Sequence, residues 1–307
     1  MPLSISSSRL ASEAGILRTI ALAAIVAFGL YAALIQLWSP NVGAGQDQES
    51  DNAIAIERFL YEGAVPDAAI VGSSQAQHIP AAALGGSVAN LALAAENPLV
   101  GLTIIARSGR VPQRIYVEIN QIGRPVDQAF IDGFFAEPGY TLKRFIKALR
   151  TSFQPINVAI SLMRRAARGR DEIYYPKIVD PASHDALIAQ ERVALAAPPD
   201  IALLDRNLAE TGRLVAALAA RGAEAVFFEM PIEPQLEEAA GPVAIRQAVQ
   251  AAFRPGHACW YDTSAPAGLP TRDGIHLDSD TAAMFGRNLV QTVCHQPSVA
   301  TDMIQRR

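Results

Sequence analysis

The chain has 307 residues, of which 50% are hydrophobic and 18% charged, and its formal net charge is −4. This length and composition suit one α/β domain with an accessory segment and argue against disorder. The weakly acidic balance gives no basis for nucleic-acid binding, and two cysteines do not make a disulfide framework.

Residues 19–38 (TIALAAIVAFGLYAALIQLW) contain no charge, Arg9 and Arg18 precede them, and Asp47, Glu49 and Asp51 follow. About 20 apolar residues suffice to cross a hydrocarbon core. The positive-inside bias then predicts a cytoplasmic segment at 1–18, a single transmembrane anchor at 19–38 and a domain on the far side. Trp38 falls at the exit interface. A cleavable signal peptide is the competing reading, but its apolar region usually covers only about 7–15 residues. The one passable cleavage site, Val42-Gly43-Ala44, lies beyond the run, so a retained anchor is expected.

Residues 39–52 read as a polar linker and 53–61 as an amphipathic helix opening a domain that runs to 307. Residues 68–71 (AAIV) form a buried strand stopped by Gly72, and 87–93 a second strand or its turn. A helix over 98–108 starts at Asn97-Pro98, and 114–119 (RIYVEI) is a strand that is apolar after Arg114 except for Glu118. The stretch 125–200 reads as a helical insertion. It carries Lys143, Arg144, Lys147, Arg150, Arg164, Arg165, Arg168 and Arg170. They form either a solvated face or a lid drawn to anionic headgroups, an acidic polymer or a partner subunit. Tyr174-Tyr175-Pro176 is a carbohydrate-stacking edge or a packing element.

Beyond 200, a helix over 203–221 is capped by Gly222, and a strand over 225–230 ends at Pro231. A helix over 242–253, a strand over 258–262 and a closing helix over 280–294 complete the order. Strand, turn and helix in repetition predict a parallel sheet flanked by helices. There is no internal repeat, low-complexity tract or phosphate-cradling glycine loop, which disfavours nucleotide binding and leaves no cofactor expected. Cys259 and Cys294 are either one bridge or two buried small hydrophobes, and neither has metal-ligand spacing.

Two segments carry chemistry. Ser73 and Ser74 follow the first strand of the domain, and ligands of open parallel sheets sit at the carboxyl ends of the strands. Gly72 allows a sharp turn there. Far along the chain, Asp273-Gly274-Ile275-His276 lies in a polar loop before a helix. An imidazole takes a proton from a serine hydroxyl and returns it to a leaving group, while a carboxylate fixes its tautomer. Of five histidines, only His276 has such a setting. If it is the base, activity rises through an apparent pKa near or above the ordinary His value of about 6.5. His78 is a substrate-contacting group or a surface or capping residue.

Residues 68–80 (AAIVGSSQAQHIP), 88–98, 114–120 and 273–289 resemble the SGNH/GDSL hydrolase superfamily, above all its membrane-anchored envelope members. Those include proteins similar to the alginate and peptidoglycan O-acetyltransferases and the lipoteichoic-acid D-alanylation protein. The resemblance implies a flavodoxin-like three-layer α/β sandwich in the periplasm, held in the inner membrane. It makes Ser74 the nucleophile, with His276 and Asp273 as its partners. The family's second block offers a glycine N–H to the oxyanion; here Ala94-Ala95-Glu96 stands there, and Ala95 is the implied donor. Its third block offers an Asn, which maps onto Asn120 without the flanking Gly and Asp. The implied activity is that of a serine esterase or O-acyltransferase on a cell-envelope or secreted polysaccharide or acylated glycolipid. A membrane-bound O-acyltransferase is the implied partner. The alternative is a catalytically degenerate scaffold or polysaccharide-binding protein of an envelope biosynthesis complex, and the weakened second and third blocks motivate it.

Overall fold

A computed structural model describes residues 7–85, 87–169, 171, 174–177, 180–254, 258–261 and 269–291, with side chains from residue 15. Its first elements are α1 (Ser7–Trp38), α2 (Gln48–Tyr61), β1 (Ala68–Gly72), α3 (Ser74–Gln77), α4 (Ala81–Leu84) and β2 (Val88–Ala92). Next come α5 (Pro98–Ser108), β3 (Arg114–Glu118), α6 (Gln128–Phe135), α7 (Gly139–Phe145), α8 (Pro155–Arg168) and α9 (Pro181–Leu195). The chain continues through α10 (Ile201–Ala219), β4 (Glu224–Phe228), α11 (Pro234–Glu237), α12 (Ala240–Ala252), β5 (Cys259–Trp260) and α13 (Ser279–Val290). Residues fall into two compact units, one made of Met1–Ser50 and Ala136–Glu172, the other of Asp51–Phe135 and Ile173–Arg307.

In the first unit, Gly15–Trp38 of α1 is long and apolar enough to cross a membrane, and only 6% of its most apolar window is buried. A core helix would be covered, so the segment has the character shared by a membrane span and a signal sequence. Its last turns are the exception: Ile35 is fully buried, and the Tyr31 hydroxyl donates to the Phe153 carbonyl at 2.6 Å. Several of the basic residues turn to backbone here. Arg164 donates to the carbonyls of Ala44 and Gly45 at 3.1 and 2.9 Å, and Arg165 donates to that of Asn41. Arg150, 4% exposed, donates to the carbonyls of Lys143 and Arg144. Arg164 and Arg165 thus clasp the polypeptide after α1 and Arg150 the end of α7, whereas Arg144 and Arg168 are exposed. Arg170 lies outside the described residues.

The second unit holds a five-stranded parallel sheet in the order β2-β1-β3-β4-β5. Alternate strand residues point to opposite faces. Ile70, Tyr116, Val226 and Phe228 meet Leu84 of α4 and Phe285 and Leu289 of α13 on one face. On the other, Val71 packs so closely on Gly101 of α5 that a Cβ there would come within 2.7 Å of it, and Phe227 stacks on Phe253 at 4.4 Å. Each such large apolar side chain contributes about 1.5–3 kcal/mol when fully buried.

Three boundaries differ from the sequence reading. α2 begins at Gln48, inside the expected linker, because the Asp47 carboxylate accepts the Ser50 N–H at 2.8 Å and caps it. The helix expected after Ser74 is short, with α3 ending at Gln77, and a second short helix, α4, follows it where none was read. The closing helix ends at Val290. Cys259 is disulfide-bonded, while Cys294 and Asp262 lie outside the described residues.

Candidate active site

The site is built at the carboxyl ends of β1, β2 and β3. β1 ends in Gly72 for a steric reason: a Cβ there would sit 2.5 Å from Glu118 Oε2 and 2.7 Å from Glu118 Cβ. Glu118, the last residue of β3, is fully buried in the space that glycine leaves. Its Oε2 accepts the Ser73 N–H at 2.5 Å and, with Oε1, the Ser73 hydroxyl at 2.9 and 3.1 Å. Burial pushes this carboxyl up, against the opposing hydrogen bonds from Ser73 and the Ala76 N–H and the charge of His276. Ser73 is extended, with φ −100° and ψ −169°, and its hydroxyl accepts the Gln75 N–H, so it caps the turn that Ser74 opens.

β2 is sewn to that turn by Asn90. Its Nδ2 donates to the carbonyls of Ala76 and Ile79 at 3.0 and 3.2 Å, and its Oδ1 accepts the Ala92 N–H. The next residues are held by Asn52 of α2, which is 4% exposed. Its carboxamide pairs with both the N–H and the carbonyl of Ala94 at 2.9 and 3.0 Å. Ala95 then takes φ +63°, a left-handed conformation that favours glycine.

The Asp-Gly-Ile-His loop is closed by a bridge between Thr271 and Leu277 and by the Arg272 N–H donating to the His276 carbonyl at 2.7 Å. Gly274 has φ +97°, and a Cβ there would come within 2.8 Å of Leu236 and 3.3 Å of Ile188. Its carbonyl accepts the Glu233 N–H at 2.7 Å, which fixes the loop to the segment after β4. The Asp273 carboxylate folds over its own loop: Oδ1 accepts the N–H groups of Ile275 and His276 at 3.1 and 2.8 Å.

The two segments, 202 positions apart, meet. His276 Nε2 is 2.8 Å from the Ser74 hydroxyl, and its Nδ1 is 2.8 Å from Asp273 Oδ2. Burial alone would raise the Asp273 carboxyl. The hydrogen bond and charge of His276 and the two loop N–H groups outweigh it and hold that carboxyl at about 2. Asp273 is therefore an anion at neutral pH, facing the imidazole through an N–H of fixed tautomer.

The two implied oxyanion donors are placed differently. Ala95 is exposed on its turn, and among the described residues no hydrogen bond involves its N–H. Asn120, just beyond β3, pairs with Met230: its Nδ2 donates to the carbonyl at 2.9 Å and its Oδ1 accepts the N–H at 2.8 Å. Only its second amide hydrogen remains for another acceptor.

His78 ends α3, so the capping role holds, and it does more. Its ring stacks on Tyr175 at 3.8 Å and lies 4.6 Å from the His276 ring, while the Arg272 guanidinium sits 5.0 Å from the Tyr175 centroid. Burial, then the charges of His276 and Arg272, lower the His78 imidazole to about 3 against the pull of Asp273 and a backbone hydrogen bond at Leu277. Tyr175 is thus a packing element, tied through its N–H and carbonyl to Ser279. The sequence reading missed Glu118, Asn90 and Asn52 as site residues. Glu118 carried a signal, a carboxylate in an otherwise apolar stretch of strand; the two asparagines carried none.

A hydroxyl, an imidazole and a half-buried anion in one hydrogen-bonded line can carry out nucleophilic acyl transfer. The sheet order in which they are mounted is compatible with SGNH-like folds. A scan against models of known protein families finds no match to this chain. A search among curated proteins finds no match either.

Proposed function

We propose that this chain is a serine esterase or O-acyltransferase of the SGNH type, tethered by α1 with its catalytic domain on the periplasmic side of the inner membrane. The observation that carries the reading is the line Ser74 Oγ, His276, Asp273, with 2.8 Å at each junction. His276 Nε2 takes the Ser74 proton as Oγ bonds to an ester carbonyl carbon, and the oxyanion turns to the Ala95 N–H, with the second amide hydrogen of Asn120 in support. The C–O bond then breaks, and the leaving alcohol takes the proton from His276. Water or a sugar hydroxyl, deprotonated by the same imidazole, resolves the acyl-enzyme. An envelope glycan or acylated glycolipid suits a tethered domain as substrate, with a membrane-bound O-acyltransferase delivering the acyl group.

One observation favours the non-catalytic reading, a glycan-binding scaffold: Asn120 is engaged by Met230. One assay separates the two. The full-length chain in detergent should hydrolyse p-nitrophenyl acetate and be labelled by a fluorophosphonate, and Ser74→Ala should abolish both. Equal turnover or labelling in the two proteins overturns the enzymatic reading.

A further inference from the structure

A cavity of about 120 Å³ is lined by chain neighbours of the triad residues, though not by Ser74, Asp273 or His276 themselves. Its walls include Gln75, which follows Ser74, and Ile275, which precedes His276, together with Ile119, Leu195, Ile232 and Ile245. The lining is mainly aliphatic, its polar side chains are Gln75, Asn120, Gln121 and Glu229, and Gln75 stands apart from the others. Gln75 is 2% exposed, yet its buried Oε1 has no hydrogen-bond partner. Buried polar atoms are nearly always paired, and an orphan beside a reactive group calls for a partner that arrives with a ligand.

We propose that this cavity is the acyl pocket and that it takes a short acyl chain bearing a hydroxyl group, with the hydroxyl bonded to the Gln75 carboxamide. This rests on the esterase reading above and narrows its substrate class. Size sets the chain length: an apolar cavity of about 150 Å³ admits benzene, so this one suits about four or five carbons. Acetyl would leave most of it empty. Charge sets the polar group. Among the described residues Glu229 is the only carboxylate in the lining, and Arg246 holds it through two bonds of 2.8 and 2.6 Å. An ammonium would find no free anion, whereas a hydroxyl serves either end of a carboxamide. The acyl carbon bonds to Ser74 Oγ, and the chain beyond it occupies the cavity.

The test uses the full-length chain in detergent and the ethyl esters of acetate, butyrate and 3-hydroxybutyrate, followed by proton release. Wild type should prefer 3-hydroxybutyrate over butyrate by roughly tenfold or more in kcat/KM, since a site built to bond a hydroxyl discriminates against its absence. Gln75→Leu should bring that ratio to about one while fluorophosphonate still labels Ser74, which shows that the fold persists. Ala194→Phe, on the cavity wall, should cut the butyrate-to-acetate ratio by about tenfold. Ser74-dependent turnover without the hydroxyl preference, or with the preference intact in Gln75→Leu, overturns the pocket assignment and leaves the enzymatic reading standing. No Ser74-dependent turnover or labelling at all overturns both.

Discussion

Glu118 offers a sharp test of what holds Ser74 in place, because it touches Ser74 only through Ser73. Replacing it by alanine strands the Ser73 N–H, the Ser73 hydroxyl and the Ala76 N–H in a region where Ser73 itself is fully buried. An unpaired buried donor costs about 1–3 kcal/mol, and water entering the vacated space recovers part of it, so Glu118→Ala should lose about 3–5 kcal/mol. For a domain of this size that is a fall in Tm of at least about 6 °C. Glu118→Gln keeps an acceptor for the N–H and a polar partner for the hydroxyl. Burial already pushes the native carboxyl toward its neutral form, so the amide should cost less than about 1 kcal/mol. Thermal denaturation of the full-length chain in detergent, with fluorophosphonate labelling of Ser74, reads both. If Glu118→Gln is as damaging as Glu118→Ala, the ionised carboxylate rather than its hydrogen bonds does the positioning, and the account fails. An alanine variant as stable as wild type refutes it more simply.

Further expectations concern the two loops around the triad. Ala95→Gly should stabilise the chain by about 0.5–1 kcal/mol, because the φ of +63° is strained for alanine and free for glycine; a lowered Tm would count against that strain. Gly274→Ala should cost about 2–4 kcal/mol and reduce Ser74 labelling, since a side chain at φ +97° would press on Leu236 and Ile188 and shift His276. Stability should also depend on pH through His78. Its folded value of about 3 lies below the ordinary 6.5, so between these the unfolded chain binds more protons and stability falls as pH falls. The slope is at most about 1.4 kcal/mol per pH unit, and His78→Phe, which keeps a ring on Tyr175, should flatten it. An unchanged slope in urea titrations at pH 4 to 6.5 would show that the ring is not held neutral.

Much of this domain is readable along the chain because its central strands β1 and β3 are buried on both faces and helices such as α5 carry their own stops. The helix over 98–108 coincides with α5 since Asn97 accepts the Leu99 N–H and Gly109 takes the left-handed end. Ser74, Asp273 and His276 were legible for a similar reason: a glycine that stops a buried strand just before two serines, and an Asp and a His spaced for one loop. What was not legible depends on partners remote in sequence. Gly72 reads as a turn residue, but its necessity comes from Glu118 on the neighbouring strand. Asn120 reads as a donor at a strand end, but Met230, 110 positions away, claims both ends of its amide. Asn52 looks like any polar residue on an amphipathic helix until Ala94 is folded against it.

Departures from local rules occur in both units, with Ser39 at φ +42° and Asp171 Oδ1 unpaired in the first, and several others gather near the candidate site. An alanine in left-handed backbone, a glutamate buried without a cation, an unpaired Gln75 oxygen and an unpaired His78 Nδ1 all lie in the segments surrounding Ser74 and His276. Each is unfavourable alone, by about 1–3 kcal/mol for the strained backbone or the orphaned atom. A fold selected only for stability would shed them one at a time: glycine at 95, a hydrophobe at 75, an aromatic at 78. Under the proposed enzymatic reading, those around Ser74 and His276 are completed by substrate. On the proposed acyl-transfer reading, the 2.8 Å line from Ser74 to His276 and the orphaned carboxamide oxygen of Gln75 serve one purpose. Stability gained by Gln75→Leu together with a loss of hydroxyacyl preference would be the signature of that exchange.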